Sequence, residues 1–241
     1  KVLGIVNAVG STIARESDGG IYIRSGPEIA VASTKAFTSQ LVALTLFALK
    51  IGRMRDLSGD SGRRLLEALL QVPNQMREWL AHGDEAIRLV AHSLITAPYV
   101  LFLGRGANYA TALEGALKLK EVSYIHCEGL AAAEMKHGPI ALIGKGTPVV
   151  FLAPRDHLHA KTLSNMEEVK SRGGRIIAVA NPGDDQVRAI ADQVIEIPQT
   201  HELLTPLLTV LPLQLLAYHA AVLLGRDVDK PRNLAKSVTV E

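Results

Sequence analysis

The strongest constraint on how this chain folds is that part of it occurs twice. VLGIVN at 2–7 and IIAVAN at 176–181 are alike, and each is followed at the same distance by an aspartate and an apolar strand, Asp18 beside GGIYI and Asp192 beside QVIEI. Each copy then runs into a long apolar helix, and those helices stop alike, at Gly52-Arg53 and Gly225-Arg226. Self-similarity with its order intact marks a duplicated unit. Strands alternating with helices call for parallel sheets, because a parallel pair needs a crossover connection. The expectation is an α/β protein of two related three-layer αβα units. The second copy opens near Pro98, well before the part that matches begins at Arg175, whereas nothing precedes Lys1. The first unit is therefore expected to lack its N-terminal half, which would leave sheet edges and apolar faces uncovered, and the chain to be a segment of a longer parent.

Periodicity divides the chain into 1–57, the back half of a first unit; 58–97, a helical connector; 98–226, a second unit; and 227–241, a tail. Lys1 to Asn7 reads as a buried strand, followed by a helical turn capped at Ser11 and a strand at Ile21 to Arg24. Ala32 to Arg53 has helical length, with Leu41, Leu44, Ala48 and Ile51 on one face. The connector is expected to be helical with interruptions at Pro73 and Gly83, and Trp79 to be a packing anchor. Further strands are expected at Tyr99 to Leu103, Val149 to Ala153, Arg175 to Ala180 and Val194 to Pro198. Further helices are expected at His157 to Arg172 and Leu203 to Leu224.

With 48% hydrophobic residues over 241 positions, the chain can bury a sizeable core. Its net charge of +2 comes from interspersed acids and bases, which gives no electrostatic footprint for nucleic acid or membrane. A lone cysteine, Cys127, excludes an intrachain disulfide framework and fits a reducing cytoplasm. No signal-peptide pattern opens the chain. The most apolar segments are broken by Gln, Pro, His or Lys short of the roughly 20 residues a membrane span requires.

Chemistry is suggested where charge interrupts an apolar helix. In ALEGALKLKEVSYIHCEGLAAAEMKHGP (112–139), Glu114, Lys118 and Glu121 fall on one stripe, while Ala112, Leu113, Ala116, Leu117, Leu119 and Val122 take most of the remaining circumference. A helix apolar nearly all round is usually buried, and a buried carboxylate beside a lysine has the perturbed pKa that acid–base work requires. The same spacing also describes an ordinary i,i+4 ion pair, worth about 0.2–0.5 kcal/mol on a surface. Gly104-Arg105-Gly106 sits at a strand-to-helix turn but fails as a dinucleotide fingerprint, since Tyr109 holds the third glycine position; a tight turn with close packing accounts for it. His137, followed by Gly138 and Pro139, reads as a helix C-terminus, where an imidazole is favoured by the dipole and is also able to carry protons near neutral pH. Lys236 lies in a tail without hydrophobic period. A lysine acts as a Schiff-base nucleophile once its pKa falls from about 10.4 to about 7–8, roughly 4 kcal/mol of differential stabilisation. A catalytic Lys236 thus requires a folded tail, with Val238 and Val240 as its anchors.

Four stretches, PEIAVASTKAFTSQL at 27–41, LGRGANYATALEGALKLKEVSYIH at 103–126, EMKHGPIALI at 134–143 and DVDKPRNLAKSVTVE at 227–241, together resemble the isomerase part of the glutamine–fructose-6-phosphate aminotransferase family. That part consists of two sugar-isomerase (SIS) domains. The resemblance implies conversion of fructose 6-phosphate, with ammonia from glutamine, to glucosamine 6-phosphate. It implies that Lys236 forms an imine with the open-chain ketose, that Glu121 moves the proton between C1 and C2, and that Lys118 steadies the enolamine charge. His137 would help open the sugar ring from the partner subunit of a homodimer. Val31 and Ala235 would make backbone contacts to the sugar, and Glu114 would support the charged stripe. No metal or other cofactor is implied. The family's Ser/Thr-rich phosphate loops fall in the missing front half, and Ala153-Pro154-Arg155-Asp156 offers no substitute. No glutaminase domain is present either, so the chain alone is expected to bind the sugar poorly and to be unable to use glutamine. Another SIS ketose or amino-sugar isomerase or deaminase, a non-catalytic sugar-phosphate-binding SIS module, and a non-functional fragment are the alternatives.

Overall fold

The computed structural model describes residues 1–236, so Val238 and Val240, the expected anchors of the tail, lie outside the described residues. The described residues form two compact units, one of Lys1–Glu67 with 229–236, the other of Ala68–Val228. The α/β class with parallel sheets read from the sequence holds for both.

In the first unit, β1 (Leu3–Val6) and β2 (Gly19–Tyr22) pair in parallel, Leu3 opposite Gly19 and Val6 opposite Tyr22. Between them runs α1 (Thr12–Glu16), whose first turn is capped by the Ser11 hydroxyl accepting from the Ala14 N–H. The strand β2 starts and ends two residues earlier than expected. The helix α2 (Lys35–Arg53) follows. Of the expected apolar face Leu41 is half-buried and Leu44, Ala48 and Ile51 are exposed; the buried residue of α2 is Ala43, and Phe47 and, on β1, Leu3 are exposed too.

The second unit is built on five parallel strands in the order β4-β3-β5-β6-β7. These are β3 (Tyr99–Gly104), β4 (His126–Ala131), β5 (Pro148–Ala153), β6 (Arg175–Ala180) and β7 (Gln193–Glu196). The central strands are apolar at nearly every position and buried on both faces, as parallel strands under helices must be. Alternation sends Leu101, Leu103, Val149, Phe151, Ile176 and Ala178 to one face, where Met166 and Val169 of α6 (His159–Lys170) and Val187 of α7 (Asp185–Ile190) complete a core. The other face carries α5 (Ala107–Ser123) and α8 (Thr205–Leu223). From β3 the chain crosses one way to β4 and then the other way to β5, so the order reverses beside β3, the place where ligands gather in open α/β sheets.

Three details depart from expectation. The edge strand β4 was not anticipated, because its sequence HCEGLA has neither strict alternation nor β-branched residues; it forms by pairing in register with β3 along its whole length. The helix α3 (Gly59–His82) continues through Pro73, and the chain breaks only at Gly83, before α4 (Asp84–Leu94). Burial of Val72 and Trp79, the latter donating its indole N–H to the Glu196 carbonyl at 2.6 Å, holds the helix together across the missing N–H. Finally, Glu202–Leu223 is long and apolar enough to cross a membrane despite Pro212, Gln214 and His219, contrary to the sequence reading, but most of it is buried inside the unit. It is the core helix of an α/β layer.

Candidate active site

The charged stripe of α5 stands in the second unit. Its helix starts immediately after β3, and the turn between them explains the glycines. A side chain at Gly104 would meet the Asn108 carbonyl oxygen at 2.2 Å, and Gly106 has φ +53. Glycine is required there for close packing and backbone freedom, with no phosphate fingerprint involved. The Arg105 Nε donates to Asn165 Oδ1 at 2.9 Å, Asn165 Nδ2 donates to Glu168 Oε2 at 3.2 Å, and Lys136 Nζ lies 2.7 Å from Glu168 Oε1. This chain of contacts ties the turn and the segment before His137 to α6. It joins residues far apart in sequence, and nothing in their local pattern announced it.

On α5, Lys118 is the centre of the stripe. Its Nζ lies 2.7 Å from Glu121 Oε2 and 3.5 Å from Glu114 Oε1, and the three side chains are 6%, 21% and 13% exposed in the order Lys118, Glu121, Glu114. The helix is not buried all round, since Leu113 and Leu117 are each 42% exposed. The inward side carries Thr111, Ala112, Gly115, Ala116, Lys118, Leu119 and Val122, and of the stripe Lys118 is buried while Glu114 and Glu121 are half-buried at its edge. An ordinary surface pair does not describe this: a lysine ammonium this deep is retained because two carboxylates neutralise it. Burial raises the Glu114 carboxyl above its usual range and the nearby Glu121 charge adds to that, while Lys118 opposes both. The contact of Glu121 with Lys118 is an ion pair without hydrogen-bond alignment, and among the described residues Glu121 Oε2 has no hydrogen-bond partner. A carboxylate oxygen so placed keeps lone-pair capacity for a proton brought to it.

His137 ends a 3-10 helix, Ala132–His137, and is exposed, with Gly138 at φ +144 turning the chain away. Cys127 is buried on β4, and burial pushes its thiol up to about 12, which keeps it an unreactive small side chain.

The remaining sequence-derived residues belong to the first unit. There Lys236 is ordered by two acceptors, Glu28 Oε2 at 2.9 Å and the Ala30 carbonyl at 2.6 Å. The N–H of Val31 is taken by the Asp229 carbonyl at 2.9 Å, so the tail pairs with the segment preceding α2. Ala235 is exposed beside Lys236. Glu28 was not singled out from the sequence. Its Oε1 accepts from the N–H groups of Thr34 (2.9 Å) and Ala36 (3.2 Å) at the start of α2, where the Thr34 side chain makes no cap bond. Burial alone would raise this carboxyl, but the N–H of Thr34, the Lys236 ammonium, the N–H of Ala36 and the Ser33 hydroxyl outweigh it and hold it down to about 2. The available signal was an acidic residue shortly before a helix start.

The five-stranded parallel sheet under helices on both faces, with the charged stripe on α5, can be set beside known proteins. The SIS domain family model matches residues 1–50 and 93–224, and the chain belongs to that family. Within it, the chain is similar to glutamine–fructose-6-phosphate aminotransferase (isomerizing) of Chlorobaculum tepidum, 53% identical over 240 residues, and to that of Thermus thermophilus, 54% identical over 240 residues. It spans about 40% of the length of these relatives, 39% of the first and 40% of the second, and is covered fully by the first and to 99% by the second. Among solved structures it resembles the C-terminal domain of glucosamine-fructose-6-phosphate aminotransferase from Francisella tularensis, with a TM-score of 0.89 and 40% identity over 95% of this chain and 64% of that one. It also resembles glucosamine-6-phosphate deaminase from Thermotoga maritima, with a TM-score of 0.73 and 26% identity over 98% of this chain and 66% of that one.

Proposed function

We propose that this chain carries the isomerase chemistry of an enzyme that makes glucosamine 6-phosphate from fructose 6-phosphate and glutamine-derived ammonia. The observation that carries the reading is the Lys118 ammonium, 6% exposed and shared by Glu121 and Glu114. A merely structural helix gains nothing from three ionised groups there, because apolar residues of similar volume stabilise a core as well or better. The relatives' names supply the substrates.

In this reading the Lys236 amine attacks the C2 carbonyl of the open-chain ketose and water leaves, giving an iminium. Ammonia then replaces the lysine at C2. The C2 iminium draws electrons from C1, so the Glu121 carboxylate can remove the C1 proton, forming an enolamine, and return it at C2 while the C1 hydroxyl loses its proton and becomes the aldehyde carbonyl. The Lys118 ammonium steadies the charge that develops on the substrate, and Glu114 holds Lys118 in place. A positioned base of this kind contributes about 10²–10⁴-fold. Val31 and Ala235 contribute backbone contacts to the sugar. His137 promotes ring opening and is supplied by the partner subunit of a homodimer. A glutaminase domain elsewhere in the parent chain would release the ammonia, and the reaction is assigned to the cytoplasm.

The test is borohydride reduction of the full protein in the presence of fructose 6-phosphate, followed by peptide mass mapping. The expected result is one hexose phosphate adduct, on Lys236, absent from Lys236→Ala. No adduct, or one on other lysines alone, would overturn the imine role. The likeness to the Thermotoga deaminase favours a second reading, in which the same groups release ammonia from glucosamine 6-phosphate. Ammonia production from that sugar without glutamine-dependent synthesis would select it. Unaltered sugar in both directions would select a sensing module.

A further inference from the structure

We infer that Glu28 is the positioning residue of Lys236: one carboxylate oxygen is fixed by the start of α2, and the other holds the lysine ammonium in place. The inference concerns the lysine's seat, and its catalytic meaning rests on the imine reading above.

The two ends of this contact differ in mobility. Glu28 is 9% exposed at its side chain, whereas Lys236 is 44% exposed. The carboxylate is held through Oε1 by two backbone N–H groups of a helix 19 residues long, so it cannot follow the lysine. The lysine stem has four rotatable bonds and is far more exposed than the carboxylate, so the carboxylate fixes its position. The Ala30 carbonyl gives a second acceptor at 2.6 Å, and the Val31–Asp229 backbone bond clamps the same two stretches of chain a few residues away. Two neutral contacts and one charged one thus converge on the stretch from Asp229 to Lys236. A carboxylate kept ionised down to about pH 2 remains a constant partner at any working pH. The consequence is twofold. While Nζ donates to Glu28 and Ala30 it is directed at them, so it is shielded from reagents in solution. When a carbonyl arrives and the ammonium has released a proton to water, the neutral amine still has two N–H groups for the same two acceptors, so the nitrogen starts from a fixed point; misplacement by about 1 Å can cost on the order of 100-fold.

The discriminating variant is Glu28→Gln in the full protein. Its amide carbonyl still accepts from Thr34 and Ala36, so the start of α2 survives, but the charge that holds Lys236 is gone. Two readouts should move in opposite directions. Competitive acetylation by acetic anhydride, read by peptide mass spectrometry with the exposed Lys50 as internal reference, should rise several-fold at Lys236. Borohydride trapping with saturating fructose 6-phosphate should fall roughly 10-fold or more, with little change in the sugar concentration giving half-maximal trapping, and Glu28→Asp should recover part of the rate. A lysine–reference acetylation ratio unchanged in Glu28→Gln overturns the seat. If that ratio rises but the unaltered protein traps no sugar at Lys236, the seat stands and the imine reading falls. If the trapping loss in Glu28→Gln is entirely a loss of sugar affinity, Glu28 contacts the sugar and the positioning role is overturned.

Discussion

Asp192 and Ile176 are joined twice. The Ile176 N–H donates to Asp192 Oδ2 at 2.8 Å and the Asp192 N–H donates back to the Ile176 carbonyl at 2.9 Å. The first unit repeats the bridge between Val2 and Asp18, at 2.7 Å to Oδ2 and 3.0 Å to the carbonyl. This is the physical content of the repeat seen in the sequence: an aspartate before one strand caps the open N–H at the start of its parallel neighbour. Asp192 also pairs with Lys170 at 2.6 Å. Because its side chain is 37% exposed, the contribution is discounted from the usual charged hydrogen bond. Asp192→Ala should cost about 1–2 kcal/mol in urea unfolding and Asp192→Asn less, since the amide still accepts from Ile176.

The Glu114 carboxyl is raised above its ordinary value, chiefly by burial. The folded chain therefore holds this proton to higher pH than the unfolded chain does. Stability from this group falls as pH rises above the unfolded value of about 4.3, and levels off past the folded value. Glu114→Gln removes that slope: relative to the variant, the unaltered protein should lose stability as pH rises from about 4, the ordinary carboxylate range, toward neutrality. Denaturant midpoints at the two ends of the range measure it, and an identical pH dependence in both proteins would contradict the assignment.

Lys118→Met should be far more damaging than loss of a surface pair. It leaves Glu114 and Glu121 beside each other without a cation, and breaking a buried pair in this way costs about 3–5 kcal/mol. The loss should be smaller at acid pH, where Glu114, its carboxyl raised by burial, can neutralise by protonation, than near neutral pH. The double variant Lys118→Met, Glu114→Gln should recover part of it in the same unfolding measurement.

The close approach of α5 to α8 depends on Gly115. A side-chain carbon there would meet Leu213 Cδ1 at 2.5 Å and Leu213 Cβ at 3.2 Å. Gly115→Ala forces Leu213 to shift, and Gly115→Val adds two more methyl groups to a packed seam. A destabilisation of about 1–3 kcal/mol is expected for valine and a smaller one for alanine, read from thermal unfolding.

What could be read from the sequence was what local pattern carries. The strand β6 and the long helices stand out because apolar runs of the right length are bounded by Gly, Pro or charge. The stripe Glu114, Lys118, Glu121 was legible because helical spacing puts its members on one side whatever the tertiary fold. Pairing and packing were not legible. β4 exists because β3 offers it a ladder, and α3 passes Pro73 because Val72 and Trp79 are buried around it. Glu28 escaped notice for the same reason: its partners are backbone N–H groups of Thr34 and Ala36 and a lysine 208 residues away. Only the folded chain brings these together.

The most direct test of the proposed chemistry is proton exchange at C1 in the full protein. Fructose 6-phosphate incubated with an ammonium salt in deuterated water should acquire deuterium at C1, followed by NMR. The account predicts that Glu121→Gln slows this exchange by about 10²–10⁴-fold while still allowing borohydride to trap the sugar on Lys236. Exchange at an undiminished rate in Glu121→Gln would contradict it and remove Glu121 from the reaction.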